Sequence, residues 1–173
     1  MRSLSRTSTV YGLFLSAQSL VTRDGYIVDG LLERSVVGRS ETDTRFLLLD
    51  PASVYWLETM QRVATAMSVS VAMLRKRDEE AVLQLSRTIP GVKIAYYSQR
   101  PTWWLLILDD TLYAARYGMT ATDPLVSRTP VIGFPRSHPM YAWLADEYVS
   151  LAPPAWRAEL LERQGIRGLD HSR

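Results

Sequence analysis

Residues 96–117 read YYSQRPTWWLLILDDTLYAARY, and this stretch decides the fold predicted for the chain. Trp103 to Leu108 is an apolar run without alternation, which is typical of a strand buried on both faces. Asp109-Asp110-Thr111 has the composition of a tight turn, and Leu112 to Tyr117 predicts an antiparallel return strand. The two carboxylates therefore end a central strand, where an α/β protein usually carries its chemistry.

Composition excludes several classes of site. The chain of 173 residues is long enough for one good core, and its 47% hydrophobic and 22% charged content is that of an ordinary globular protein. The absence of cysteine excludes disulfides, thiol nucleophiles and thiolate metal sites, and two histidines are too few for a histidine-rich zinc site. A net charge of +2 from scattered arginines supports a nucleic-acid partner only weakly. We expect no cofactor.

The start of the chain does not predict export. The apolar run from Val10 to Leu15 follows a basic opening, but it is short for a signal peptide, and Gln18-Ser19 soon interrupts it. No stretch of the sequence is long enough to span a bilayer. We therefore expect a cytoplasmic protein with no membrane partner.

The first half of the chain predicts a β-α-β unit. Val10 to Leu15 and Thr44 to Leu49 are apolar strands, Ser16 to Ser19 is a candidate loop, and the helical spacing after Asp24-Gly25 places Ile27, Leu31 and Leu32 on one face. Such a unit implies parallel strands and a right-handed crossover. Residues 1–8 are expected to be a flexible lead-in, 9–164 a single α/β domain, and 165–173 a flexible tail.

The remaining elements predict an α/β fold with a mixed, mostly parallel sheet flanked by helices. Asp50-Pro51 has the N-cap and first-turn residues of a helix, which is expected to break near Ser68 to Val71. The charged run from Arg75 to Glu80 is interpreted as the solvated face of the next helix. Further predicted elements are strands at 92–96 and 130–134, a loop at 118–129, a helix at 139–149 with Trp143 packing on the sheet, and a last helix that opens at Pro153-Pro154.

This order of elements resembles a single phospholipase D-like domain, especially the degenerate accessory domains of bacterial regulators. The resemblance covers residues 8–157 and depends on the strand ending Phe46-Leu47-Leu48-Leu49-Asp50-Pro51, on Gly91-Val92-Lys93-Ile94, and on the strand that runs into Asp109-Asp110. It implies a phospholipase D-like half as the fold. It also implies a symmetric homodimer with the Trp103-Trp104 region near the axis, because one copy of this family supplies half of a two-fold site.

The family's active-site signature is missing from this chain. That signature is His-x-Lys followed, after four further residues, by Asp; aligning on Asp109 places Thr102 and Trp104 at the His and Lys positions. Aligning on Asp110 places Trp103 and Leu105 there instead. Residues 115–119, Ala-Arg-Tyr-Gly-Met, replace the family's Gly-Ser-x-Asn element. Phosphodiester cleavage in this family needs a histidine nucleophile and a lysine, so the resemblance implies a scaffold without that catalysis.

The favoured hypothesis is a non-catalytic sensor or interaction module, in bacterial regulation, that binds a small molecule or a protein partner. Aromatic side chains in adjoining strands could stack on a ligand or bury a partner's surface, and Arg136 could bind a phosphate or carboxylate. The candidate binding residues are Tyr97, Trp103, Trp104, Tyr113, Tyr117 and Arg136.

The alternative is a divergent phosphodiesterase or nuclease that uses His138, Arg136 and Asp109. Acid/base catalysis needs a matched second group within hydrogen-bond reach, so a histidine that caps the following helix is the favoured interpretation of His138. Asp109 and Asp110 could bind Mg²⁺, but adjacent strand residues point to opposite faces. An acidic turn is therefore favoured over a metal site.

Overall fold

The computed structural model describes residues 9–21, 42–117 and 130–164. Within these ranges the chain forms a six-stranded sheet in the order β3-β2-β1-β4-β5-β6. The strands are β1 Thr9–Phe14, β2 Asp43–Leu49, β3 Lys93–Tyr97, β4 Trp103–Leu108, β5 Thr111–Arg116 and β6 Ile132–Pro135. The predicted α/β class with a mixed sheet is confirmed, and the parallel part of the sheet lies at one end.

Strand direction divides the sheet into two halves. β1, β2 and β3 are parallel, whereas β4 is antiparallel to β1 and continues into the antiparallel strands β5 and β6. The predicted parallel pairing of the first two strands and the hairpin across Asp109-Asp110 are therefore confirmed. We call the end of the sheet where β1, β2 and β3 finish the carboxyl end, and the opposite end the amino end.

Helices cover both faces of the sheet. They are α1 Gln18–Val21, α2 Val54–Met67, α3 Val71–Thr88, α4 Pro139–Leu151 and α5 Pro154–Gln164. Alternate residues of each strand point to opposite faces, which gives two cores. One core packs against α2, α4 and α5 on what we call the α4 face, and the other packs against α1 and the second half of α3 on the α3 face.

Local capping sets where α2 and α3 begin. Asp50 was predicted to cap α2, but its Oδ1 instead accepts from Ala52 N at 2.8 Å within a turn, and Ser53 Oγ caps the helix by accepting from Trp56 N at 3.1 Å. The prediction was wrong because serine three residues later offers the same capping oxygen. The predicted break is confirmed, since α2 ends at Met67 and Ser70 caps α3.

Several predictions fall outside the described residues: the lead-in 1–8, the helix after Asp24-Gly25, the loop 118–129 and the tail 165–173. The predicted loop at Ser16 to Ser19 was partly wrong, because α1 begins at Gln18. In the described ranges, no helix combines the length and apolarity that crossing a membrane requires.

Candidate functional site

The Asp109-Asp110 turn lies at the amino end of the sheet. Asp109 Oδ1 accepts from Thr9 N at 2.9 Å, and Asp109 N donates to Thr9 O at 3.0 Å, at the start of β1. Asp109 adopts φ 51°, a left-handed conformation that aspartate tolerates in tight turns. The prediction that this turn lies at the carboxyl end of the sheet, where an α/β protein usually carries its chemistry, was wrong. β4 runs antiparallel to β1 and therefore ends at the amino end.

Arg136 and His138 lie at the same amino end and have structural partners. Arg136 Nη1 is 3.1 Å from Asp110 Oδ1, and its backbone N donates to Asp110 O at 2.8 Å. His138 is the N-cap of α4, with Nδ1 accepting from Met140 N at 3.1 Å. The interpretation of His138 as a helix cap is therefore confirmed.

The positions that match the family's His and Lys lie at the carboxyl end, on the first residues of β4. Trp103 and Leu105 point to the α4 face, whereas Trp104 points to the α3 face and packs edge-on against Phe14, with ring centroids 5.7 Å apart. Tyr113 also packs on the α3 face. Because alternate strand residues point to opposite faces, the predicted aromatic cluster is divided between two cores. The five aromatic residues that were predicted to bind a ligand or partner, Tyr97, Trp103, Trp104, Tyr113 and Tyr117, therefore do not form one surface.

Two phenols, of the buried Tyr97 and the half-buried Tyr117, bind the backbone at the carboxyl end of β1. Tyr117 Oη accepts a hydrogen bond from Leu15 N at 3.1 Å, and Tyr97 Oη donates to Phe14 O at 3.5 Å. Burial raises the pKa of both tyrosines above the ordinary value, so both remain protonated near neutral pH. They bind the β1 backbone and cannot serve as phenolate nucleophiles there.

Asp78 joins α3 to the turn that follows β1. Its Oδ1 accepts from Ser16 Oγ and Ala17 N, both at 2.7 Å, and from Gln18 N at 3.3 Å. Although the run 75–80 was predicted to be solvated, Asp78 is only 4% exposed. Burial raises its pKa, partly offset by these hydrogen bonds, and the net pKa lies above the ordinary value.

An exposed apolar surface remains on the α4 face near the carboxyl end. Trp103 is half-buried and meets Trp143 of α4 edge-on, with ring centroids 6.0 Å apart. Trp143 was predicted to pack on the sheet, yet 53% of it is exposed, as is 54% of Ile132. The β4-β5-β6 register places Ile132 on the same face as Trp103. We call Trp103, Trp143 and Ile132 the aromatic patch.

A charged network occupies the amino end of β2 on the α4 face. Arg45 is completely buried, and its Nε donates to Asp43 at 2.9 Å, while Tyr11 Oη donates to the same carboxylate at 2.8 Å. Burial alone raises the pKa of Asp43, but the hydrogen bonds and the charges of Arg45 and Arg163 outweigh it, so the pKa lies below its ordinary value. The arrangement neutralises a buried guanidinium within the sheet.

Two of these features left signals in the sequence. Asp78 shares a helical stripe with the buried residues Leu74, Ala81 and Leu85, which indicates a core-facing position inside the charged run. Arg45 interrupts an otherwise apolar strand. Burial of a charged side chain requires partners, so both positions could have been selected as sites of ion pairs or hydrogen bonds.

Among the described residues, no group of three or more histidine, aspartate or glutamate side chains is arranged to hold a metal ion. His171 lies outside the described ranges. No family profile, curated protein or solved structure matches this chain. The phospholipase D-like resemblance therefore stays a prediction.

Proposed function

We propose that this protein is a non-catalytic recognition module, with a phospholipase D-like scaffold of the kind used in bacterial regulators, that binds a partner through the aromatic patch. The single observation that carries this proposal is the exposure of Trp143 against the half-buried Trp103. A protein partner fits this exposed apolar surface best, and a small molecule with an aromatic ring is the other expected ligand.

The chemistry of the carboxyl end supports a role without catalysis. Thr102, Trp103 and Trp104 stand near the start of β4, and none of them can form a phosphohistidine-type intermediate. The nearby phenol of Tyr117 is protonated and bonded to the β1 backbone, and the Ser16 hydroxyl donates to Asp78. These groups hold the end of the sheet together and provide neither a nucleophile nor a cation for phosphate.

The exposure of the aromatic patch supports recognition. Half-exposed tryptophan is uncommon in an ordinary surface, and tryptophan is enriched among the residues that dominate binding energy at interfaces. Trp143 rests on the ring of Trp103, so it has a rigid support and loses little side-chain freedom on binding. Arg116, exposed on the same face, adds a cation at the rim.

The resemblance also leads us to propose a homodimer near Trp103 and Trp104. Of these two tryptophans, Trp103 belongs to the aromatic patch, whereas Trp104 packs against Phe14 on the other face of the sheet. A dimer formed through the patch would cover Trp143, so a second copy of the chain competes with another partner for this surface. Substitutions in the patch should therefore remove both dimerisation and partner binding, and the mass of the complex distinguishes the two.

Native mass spectrometry of the protein purified from its own host tests the proposal. We expect an added mass, from a partner or retained ligand, that is lost in Trp143→Ala. Leu83→Ala is a matched control, because Leu83 is 55% exposed on α3, and it should keep the added mass. Equal behaviour of the two variants would contradict a role for the patch, and a species of twice the chain mass would identify the partner as a second copy.

A separate assay tests the catalytic alternative. Hydrolysis of bis(p-nitrophenyl) phosphate should be absent in the wild type and in His138→Ala. Activity that is present in the wild type and lost in His138→Ala would instead favour a divergent phosphodiesterase using His138, Arg136 and Asp109. Arg136 and Asp109 lie at the amino end of the sheet with His138. The assay therefore tests a site that is separate from the aromatic patch.

A further inference from the structure

Helix α5 has a small hydrophobic anchor. Leu160 is its only completely buried side chain among the described residues, and Trp156 and Leu161 are partly buried. By contrast, α4 buries five side chains, which are Tyr141, Leu144, Ala145, Tyr148 and Val149. Apolar burial is the main source of helix docking energy, so α5 depends more than α4 on its polar contacts.

The sheet side of these contacts keeps its central ion pair without α5, although Arg45 Nη2 loses Glu159. Arg45 is paired with Asp43, which also accepts from Tyr11 Oη, and Tyr148 of α4 donates to the backbone oxygen of Arg45 at 3.2 Å. The rings of Tyr11 and Tyr148 stack with centroids 5.8 Å apart. When α5 opens, Arg45 therefore keeps Asp43 as its counter-ion but loses Glu159 and the Trp156 ring.

The charged side chains that α5 contributes to these contacts are already partly hydrated and can be fully hydrated when the helix detaches. Glu159 pairs with Arg45 Nη2, and Arg163 Nη1 is 3.0 Å from Asp43 Oδ2, yet the two α5 side chains are 52% and 46% exposed. The Trp156 ring lies 5.6 Å from the Arg45 guanidinium. Breaking ion pairs whose outer members are half-exposed costs far less than separating a fully buried pair.

We infer that α5 is a detachable strap, which opens from the amino end of the sheet while the sheet and α4 stay folded. Three further hydrogen bonds secure it when closed: Arg136 Nη2 donates to Arg163 O at 3.1 Å, Arg157 Nε to Ala152 O at 2.8 Å, and Arg157 Nη2 to Ser150 O of α4 at 2.9 Å. Opening uncovers the Arg45-Asp43 pair. Because the contacts are largely ionic, salt controls the opening, as expected for a local unfolding unit of low stability.

Hydrogen–deuterium exchange of the full chain, read by mass spectrometry, tests this inference. The Debye length falls from about 30 Å to about 3 Å between about 0.01 M and 1 M salt. We expect peptides within 154–164 to exchange faster than those within 139–151 and to accelerate at high salt, while α4 stays unchanged. Exchange of α4 and α5 in step under all conditions would overturn the inference.

Single substitutions make the test specific to the strap. Glu159→Gln and Arg163→Gln should each raise α5 exchange about threefold without changing α4, since each removes one half-exposed ion pair. Glu80→Gln is the matched control, because it breaks the exposed Lys76–Glu80 pair on α3, 3.9 Å long. The ionic attachment would be refuted if Glu80→Gln accelerated α5 exchange as much as the strap variants do. It would also be refuted if neither Glu159→Gln nor Arg163→Gln changed α5 exchange.

Discussion

Replacement of Asp78 by alanine should destabilise the protein by about 2–4 kcal/mol. Asp78→Ala removes the acceptor of two short hydrogen bonds, from Ser16 Oγ and Ala17 N, both 2.7 Å long. A bond to a charged group contributes roughly 1.5–3 kcal/mol, so the gross loss is about 3–6 kcal/mol. Gln18 N keeps Ser16 Oγ as a partner at 3.1 Å, and removal of a buried charge offsets part of the loss.

The isosteric variant separates charge from hydrogen bonding. Asp78→Asn keeps an oxygen acceptor without the charge, so we expect its free energy of unfolding to lie within about 1 kcal/mol of the wild type at pH 7. Burial raises the pKa of Asp78 above its ordinary value in the folded state. The stabilisation from its protonation is therefore complete below about pH 4 and is lost as pH rises through the folded pKa. The stability of Asp78→Asn relative to wild type should accordingly increase with pH across this interval.

Urea unfolding followed by circular dichroism at several pH values between 4 and 7 measures both effects. For a domain of this size, the alanine variant should also lower Tm by about 5–15 °C. Glu79→Gln, at the exposed neighbouring position, is the control and should change little. The reasoning is refuted when Asp78→Ala matches the wild type, or when the advantage of Asp78→Asn shrinks as pH rises.

Two further substitutions test local packing and capping. Gly12→Ala should cost about 1–3 kcal/mol in urea unfolding, because an ideal Cβ would lie 2.0 Å from Cε2 of Phe14, whose buried ring is held between two other aromatic rings; wild-type stability would show that this ring moves freely. His138→Ala should cost about 1 kcal/mol by removing the acceptor of Met140 N, and His138→Asn should restore most of it in the same assay. Equal stability of both His138 variants would contradict the capping role.

Local sequence patterns were sufficient for most of the fold. The apolar run 103–108 followed by Asp109-Asp110 predicted the β4-β5 hairpin, because unbroken apolar residues favour a buried strand and aspartate favours the turn. The break between α2 and α3 was predicted from the Ser/Val-rich stretch 68–71, and in the structure Ser68 adopts a left-handed conformation there. These features depend on neighbours within a few residues.

Local sequence patterns predicted the residues of the candidate site less well than the fold. Tyr97 and Tyr117 were selected as binding residues, but their hydroxyls meet at β1, more than 80 positions away along the chain. Asp78 was missed because its partners come from a distant segment, and Arg45 because Glu159 is distant, although Asp43 lies only two residues before it. Trp143 was predicted to pack on the sheet, although about half of the residue is exposed.

The sequence by itself determined the α/β class, the order of the described strands along the chain, and the absence of the residues that phosphodiester cleavage by the resembled family needs. Only the tertiary structure decided which end of the sheet each side chain occupies. Because β4 runs antiparallel to β1, it takes Asp109 to the amino end and leaves Trp103 at the carboxyl end, beside Trp143. Strand direction relative to a distant neighbour is a long-range property, set by which apolar faces pack together.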